Sequence, residues 1–556
     1  MRRLRRQQKI IFLALVCSLI TGLLLVRLFY IQIVCNDKLT AGAVKQRSQS
    51  VVLDYNRGEI LDRNGITLLG GKDEKILAIF PTLLEKSEAV QKIFPGIVPL
   101  AAMPEAPFVA LQGVEPPEEK FFKNNATSGL VIAKSRRRYG PDALATHLVG
   151  HIGEADGEGK VGLELVFNHE LQGASPTVLA AVVDGRKNLI GGLGYRLREN
   201  REPYQPYNLV LSIDYNIQKK VERIMDLQVA KGAVVVMDPH SGDILAMASR
   251  PNYMQHQLSS YLNSAGEQES LAVDQPLINR CILSYPPGSI FKIVVAAAAL
   301  ETGKAKLSSK YYCPGFIQVG SKTFNCQHGP HDEITFAQAF AHSCNAVFIE
   351  LAMDLGREAI YNYARSMGLG KETGILLGSA EQGGETKGML PLPDEMPFLG
   401  DLALAAIGQG KVEATPLQVA CLTSVVANGG YLVKPQLVKT LQSRQGQTIK
   451  RFSSGPAKKV LNPVTACKLR YMMLGVLEYG TGKAVFCDLF TLGGKTGTAE
   501  TSRTIDGKRL THSWFTGILP LENSKAVITV FMEEPLQGSA AETFKDLAQG
   551  IYSFLD

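Results

Sequence analysis

The sequence predicts an α/β fold for its C-terminal two-thirds, a five-stranded antiparallel sheet flanked by helices. A mixed α+β region and one N-terminal transmembrane helix precede it. Three observations predict this. One long apolar run follows a cluster of cations at the N-terminus. Short β-branched runs fall in two blocks far apart in the chain, residues 232–249 and 491–532. Between the blocks lies an alanine-rich apolar helix, Ile293 to Leu300, and after them a segment of helical spacing, Glu542 to Leu555. A chain of 556 residues exceeds what one core usually serves, so two domains and an anchor are expected.

The formal net charge is +7, and Arg2, Arg3, Arg5, Arg6 and Lys9 supply five of those charges. The remainder is nearly neutral, with no basic, aromatic-interleaved stripe of the kind that nucleic acid requires. Ile10 to Val26 is uncharged and mostly apolar, and after Arg27 the apolar character resumes to Val34. A helix of that length spans the hydrocarbon core if Arg27 snorkels. The upstream cations hold the N-terminus in the cytoplasm and place everything beyond residue 35 outside. A cleaved signal peptide is the rival reading, but Ala41-Gly42-Ala43 lies too far along and the apolar run is too long. Cys35 follows Val34, where a lipid anchor needs a small residue. The expected organisation is a tail at 1–9, an anchor at 10–34, a first domain at 36–205 and a second at 206–556, with no module after Asp556. The boundary is read from Pro203 and Pro206 within residues 200–208.

In the second domain, Gly232 to Met237 and Asp243 to Ser249 flank Pro239-His240-Ser241-Gly242 and read as a hairpin. Thr491 to Thr501, Trp514 to Leu519 and Ala526 to Met532 read as three more strands. Ser289 follows Pro286-Pro287-Gly288 and is placed at the start of the apolar helix. Positions three apart share a helix face, which puts the Lys292 amine within reach of the Ser289 hydroxyl. Free N–H groups at that helix end favour developing negative charge. A Ser-x-x-Lys match alone is common by chance. Two further elements follow in order, Ser343-Cys344-Asn345 and Lys495-Thr496-Gly497-Thr498.

In this ordered triple the chain resembles the penicillin-binding proteins and serine β-lactamases, whose signatures are Ser-x-x-Lys, Ser-x-Asn and Lys-Thr-Gly. The flanks agree: Gly408-Gln409-Gly410, Thr415 to Gln418, Gly480-Thr481-Gly482 and Trp514 to Gly517. Arg57 to Gly65 resembles the first pedestal motif of the class B penicillin-binding proteins. His147 to Gly150 and Gly162 to Glu164 resemble its later companions. Within that motif Asp62-Arg63 reads as a structural ion pair. No glycosyltransferase signature is present, which disfavours a bifunctional class A enzyme.

The resemblance implies a penicillin-binding transpeptidase fold behind a class B, dimerisation-type pedestal, and roles for matching residues. Ser289 would be the acylated nucleophile and Lys292 its base, with Ser343, Asn345 and Lys495 completing the catalytic set. Thr496, Gly497 and Thr498 would bind substrate, and the Ser289 and Thr498 N–H groups would form the oxyanion hole. The implied activity is peptidoglycan D,D-transpeptidation of stem peptides, with β-lactams as inhibitors, in division, elongation or sporulation. The implied partner is a SEDS-type glycosyltransferase in the membrane. The alternatives are a D,D-carboxypeptidase or β-lactamase-type hydrolase, and a catalytically dispensable cell-wall scaffold. No Glu-x-x-x-Asn element of class A β-lactamases is seen, and His169-Glu170 lacks the second histidine of a sensor's protease motif. Five intact catalytic residues argue against the scaffold.

Cysteine usage is sparse. For Cys313 and Cys326 a local disulfide and two free thiols are both open, while Cys281, Cys344, Cys421, Cys467 and Cys487 read as buried thiols. Cys326, His328 and His331 do not follow a common zinc spacing, and the implied chemistry needs neither metal nor cofactor, so none is expected.

Overall fold

The computed structural model describes all residues except 1, 35–47, 85–106, 125–128, 155, 174, 185, 187, 191–193, 199–204, 259–274, 379–383, 506–507 and 556. Cys35, Ala41 to Ala43, Pro203 and the start of the expected interdomain boundary lie outside the described residues. Helix α1 (Arg2–Phe29) continues through a wider turn, Tyr30–Val34. Its apolar stretch Gln8–Val34 is 27 residues long and buries nothing. It fits a single-pass membrane anchor, and among the described residues no second helix is long and apolar enough to span.

The chain forms two compact units. The first comprises Met1–Asn56, Asp73–Arg137 and Ser175–Glu202. Its core sits on a sheet of Ser48–Asp54, Thr177–Val182 and Tyr195–Arg198 and on a second sheet built around Gly70–Ile79. Along that last strand Ile76 and Ala78 enter one apolar cluster with Val51, Phe80 and Leu179. Leu77 and Ile79 enter another with Val114, so the strand is covered on both faces.

The second unit comprises Arg57–Lys72, Arg138–Ala174 and Pro203–Asp556. The three motif segments noted in the N-terminal half all belong here. Ile60–Leu61 pairs in parallel with Asn208–Leu211. The Arg57 guanidinium donates to Glu164 at 2.8 Å, to Asn168 Oδ1 at 2.8 Å and to the Gly157 carbonyl at 2.9 Å. Arg138 and the Tyr139 hydroxyl donate to the second Glu164 oxygen at 2.5 and 2.9 Å. Glu164 is fully buried, and each of its oxygens is met by a donor. The expected Asp62-Arg63 ion pair does not form. The buried Asp62 carboxylate instead accepts from the N–H groups of Asn64, Ile66 and Tyr215 at 2.7–3.0 Å, and Arg63 reaches Asp243 at 4.0 Å.

Helix α2 (Tyr215–Gln228) is N-capped by Asp214, whose carboxylate accepts from Asn216 and Ile217. Strands β1 (Gly232–Met237) and β2 (Ile244–Arg250) form the expected hairpin. The insertion carries α3 (Lys292–Glu301), α4 (Phe336–Ala341), α5 (Asn345–Leu355), α6 (Pro416–Ala427) and α7 (Pro463–Glu478). Strands β3 (Gly493–Ile505), β4 (Lys508–Leu519) and β5 (Ala526–Met532) complete an antiparallel sheet of order β2-β1-β5-β4-β3, and α8 (Ala540–Ile551) closes the unit. Alternation along β4 sets the layers: Phe515 meets Phe544 of α8 on one face, with ring centroids 4.5 Å apart. Thr516 bonds Thr423 of α6 at 2.8 Å on the other. All twelve residues of α6 are buried, and the Thr415–Gln418 flank is its capping box.

Two further details depart from the sequence reading. Strands β3 and β4 pair beyond the expected end at Thr501 and before the expected start at Trp514, with Thr504 opposite Arg509 and Glu500 opposite Thr511, where the exposed polar side chains of Glu500, Arg503, Thr504 and Arg509 give no strand signal. Cys467 is exposed and Cys487 half-buried rather than buried, since Cys467 lies on the outer face of α7.

Candidate active site

Ser289 lies in a tight 3-10 turn, Gly288–Phe291, that leads directly into α3. Pro287 enters the turn and Gly288 takes φ +55, a conformation that costs glycine little. A Cβ at Gly288 would sit 2.3 Å from the Thr498 carbonyl oxygen, so this residue must be glycine for the turn to press on β3. Gly497 completes the fit from the opposite side. Its own Cβ would lie 2.8 Å from Ile290 and 2.9 Å from the Pro287 oxygen. The Trp514 indole N–H donates to the Pro286 carbonyl at 3.0 Å, and the Gly288 N–H donates to Gly408 at 2.9 Å. The glycine and tryptophan flanks therefore hold the serine turn against the sheet.

Residues Ile293 to Ala299 of α3 are wholly buried, and Lys292 is fully buried at their head. Its amine does not bond Ser289. It bonds the Ser343 carbonyl at 2.6 Å, the Ser343 hydroxyl at 3.2 Å and Asn345 Oδ1 at 2.7 Å. The half-buried Ser289 hydroxyl makes no hydrogen bond to a described residue. Ser343 occupies the turn between α4 and α5 with φ +55, a region that non-glycine residues rarely enter. Backbone bonds from Ser343 and Cys344 to Phe340 and Ala339, at 3.1 and 2.8 Å, hold it there.

The Lys495 amine approaches the same hydroxyl from β3, donating to Ser343 Oγ at 3.1 Å and to the Thr496 carbonyl at 3.0 Å. Both lysines are completely buried. Burial pulls the Lys292 ammonium down to about 7, with Cys344 and Cys326 opposing. Burial, and then the charge of Lys292, push Lys495 well below the ordinary lysine value.

Strand β3 is the edge of the sheet, so its outer backbone groups have no strand partner among the described residues. Lys495, Thr496, Gly497 and Thr498 face Thr516, Phe515, Trp514 and Ser513 across β4. The Thr496 hydroxyl is oriented by Thr481 at 2.6 Å, and the Thr481 N–H bonds the Ala341 carbonyl of α4. Thr481 was visible in the sequence only as the centre of a Gly-Thr-Gly flank. The structure thus gathers Ser289, Lys292, Ser343, Asn345 and Lys495 to Thr498 in one place. Asn345 Nδ2 also donates to the Asn325 carbonyl at 2.8 Å, a contact that no motif announces.

Residues 232–549 match the family model described as the penicillin binding protein transpeptidase domain. Stage V sporulation protein D of Bacillus subtilis is 29% identical over 95% of this chain and 82% of its own length. The peptidoglycan D,D-transpeptidase MrdA of Acinetobacter baumannii is 27% identical over 98% of this chain and 86% of its own. Among solved structures, a chain from a study of polymerization and crosslinking by a peptidoglycan synthase complex superimposes with a TM-score of 0.69 at 24% identity, covering 98% of both chains. Given a family match over more than half of its length and a site assembled from all three signatures, this chain belongs to the penicillin-binding protein transpeptidases, as a serine-type acyl-transferring member of class B.

Proposed function

We propose that this protein cross-links peptidoglycan as a D,D-transpeptidase, with Ser289 as its acylated residue. The observation that carries the reading is the Ser343 hydroxyl set between two buried amines, Lys292 and Lys495, beside a serine turn pressed onto an edge strand. A lysine poised near pH 7 can take a proton from a serine hydroxyl, and burial of Lys292 supplies that poise. Ser289 Oγ attacks the carbonyl of the D-Ala-D-Ala amide as its proton passes to the Lys292 amine. The N–H groups of Ser289 and Thr498 stabilise the oxyanion. Collapse breaks the C–N bond, and Ser343 relays the proton to the departing D-alanine amine, leaving an ester on Ser289. An amine from a second stem peptide then attacks the ester, restoring the hydroxyl and completing the cross-link.

The donor strand docks along β3 by strand addition, a mode open to an unpaired edge. Thr496 and Thr498 bind its terminal carboxylate with Lys495 supplying charge, Gly497 lies between them on the docking strand, and Asn345 holds the stem amide. Amine capture rather than water is supported by relatives named as peptidoglycan D,D-transpeptidases. The cations before α1 favour a cytoplasmic N-terminus and an extracytoplasmic catalytic unit. The resemblance to a chain of a peptidoglycan synthase complex supports a membrane partner that polymerises glycan, of the SEDS type. A β-lactam presents a strained amide to the same serine.

The test is covalent labelling by a fluorescent penicillin. Wild type labels and Ser289→Ala does not; labelling of the alanine variant would refute the nucleophile. In cells whose only copy is Ser289→Ala, cross-linking should fall, and normally cross-linked wall without a compensating paralogue would favour a scaffold.

A further inference from the structure

Beside the catalytic groups lies a cluster that the proposed reaction leaves without a role: Cys313, Cys326, His331 and Cys344. We propose that these four side chains bind one zinc(II) ion, which clamps residues 310–335 onto the turn carrying Ser343 and Asn345. The donors come from four separate places. Cys313 ends the strand Lys310–Cys313, and Cys326 follows the strand Lys322–Asn325. His331 precedes the strand Asp332–Thr335, and Cys344 is the middle residue of Ser343-Cys344-Asn345.

The geometry is that of a tetrahedral site. Zinc–sulfur bonds of about 2.3 Å and zinc–nitrogen bonds of about 2.0–2.1 Å set S···S edges of about 3.8 Å and S···N edges of about 3.6 Å. Here Cys313 Sγ lies 3.5 Å from Cys326 Sγ and 3.4 Å from His331 Nδ1, and Cys326 Sγ lies 3.7 Å from Cys344 Sγ. All four donor atoms fall within 4.8 Å of one another. A disulfide between any two of these cysteines would leave the third thiol and the imidazole without a part. His331 Nε2 is buried and has no hydrogen-bond partner among the described residues, so the imidazole's polar contact is the one Nδ1 makes with Cys313. Three thiolates and an imidazole suit a borderline-soft ion rather than magnesium or calcium. Binding exchanges three thiol protons for Zn²⁺ and needs no oxidant or reductant.

The local fold needs such a clamp. Residues 310–335 form two two-stranded ribbons, Lys310–Cys313 with Asp332–Thr335 and Phe316–Val319 with Lys322–Asn325, and most of their side chains are exposed. Two-stranded ribbons are marginal in water on their own. Yet the Asn325 carbonyl at the base of the inner ribbon accepts the Asn345 amide. An ion held by Cys326 and Cys344 fixes both ends of that contact.

The experiment uses the full-length chain purified in detergent under reductant, with metal read by plasma mass spectrometry. One zinc per chain is expected, with loss in Cys326→Ser and in His331→Ala. Because either variant could misfold, the wild-type chain is also stripped with chelator and titrated with Co²⁺. The strong visible bands of tetrahedral thiolate–cobalt are expected to saturate at one equivalent. A reduced wild-type chain that takes up neither zinc nor cobalt overturns the proposal, as does a Cys326→Ser, Cys344→Ser double variant that still binds one ion. So does a reductant-resistant disulfide within the cluster. These readouts are independent of acylation, so they stand or fall apart from the transpeptidase reading. Stripping the metal is expected to slow penicillin labelling severalfold, and an undiminished rate in the metal-free chain overturns the clamp.

Discussion

Ser343 concentrates the physics of the site, because a left-handed backbone places its hydroxyl where two buried amines converge. Lys292 is lowered to about 7, so its free-amine fraction grows as pH rises through that value. Penicillin acylation should therefore climb from pH 6 to a plateau above about pH 8, measured by stopped-flow labelling; a rate flat across that range would remove Lys292 as the base. The stability sign is the same. Between about 7 and 10.5 the unfolded chain binds the proton that the native chain has lost, so stability rises with pH across that window. Lys292→Ala should cut acylation by at least ~10²-fold, the range of general-base catalysis. A different residue-scale effect is expected at Arg57, whose partner Glu164 is sealed from water. Arg57→Ala leaves a buried carboxylate with one guanidinium fewer and should cost about 3–5 kcal/mol, read as a shift in the urea midpoint of the second unit. An unchanged midpoint would show that Arg138 alone satisfies Glu164.

At the scale of elements, the site is a junction between the 3-10 turn before α3, the α4–α5 turn and the edge strand β3. Two glycines let the first and last of these touch. Gly497→Ala should separate them, since its methyl would need the space of Ile290 and the Pro287 carbonyl. The expected result is acylation slowed by more than about tenfold, as misplacement by fractions of an ångström already costs this much. Thermal melting should fall as well; a variant that melts and acylates like wild type would show that β3 can retreat without consequence. The β3–β4 hairpin illustrates what periodicity misses. Strand character was legible where β4 packs on α8 and α6, and illegible around Arg503, Thr504 and Arg509, whose polar side chains are exposed.

For the whole molecule, the second unit has a continuous apolar core from Ile60 to Ile551 built from all three of its segments. A chain lacking residues 1–35 should therefore be soluble and still label with penicillin, as α1 contributes no buried surface. Membrane retention of that truncation in fractionation would contradict the single span.

The sequence by itself determined the apolar anchor segment, the strands of the sheet and the three short motifs that the fold brings together. Each of these rests on local information: an apolar length, a β-branched run between turn residues, or a short motif. Tertiary structure alone decided that Arg57 to Gly65 belongs to the second compact unit, and that Lys292 bonds Ser343 and Asn345 rather than Ser289. It also decided that Cys313, Cys326, His331 and Cys344 converge. None of these could be read along the chain, because each depends on groups far apart in sequence, as many as 153 residues for Asp62 and Tyr215, being pressed together, and burial sets both the lysine's proton affinity and the cost of leaving a charge unpaired.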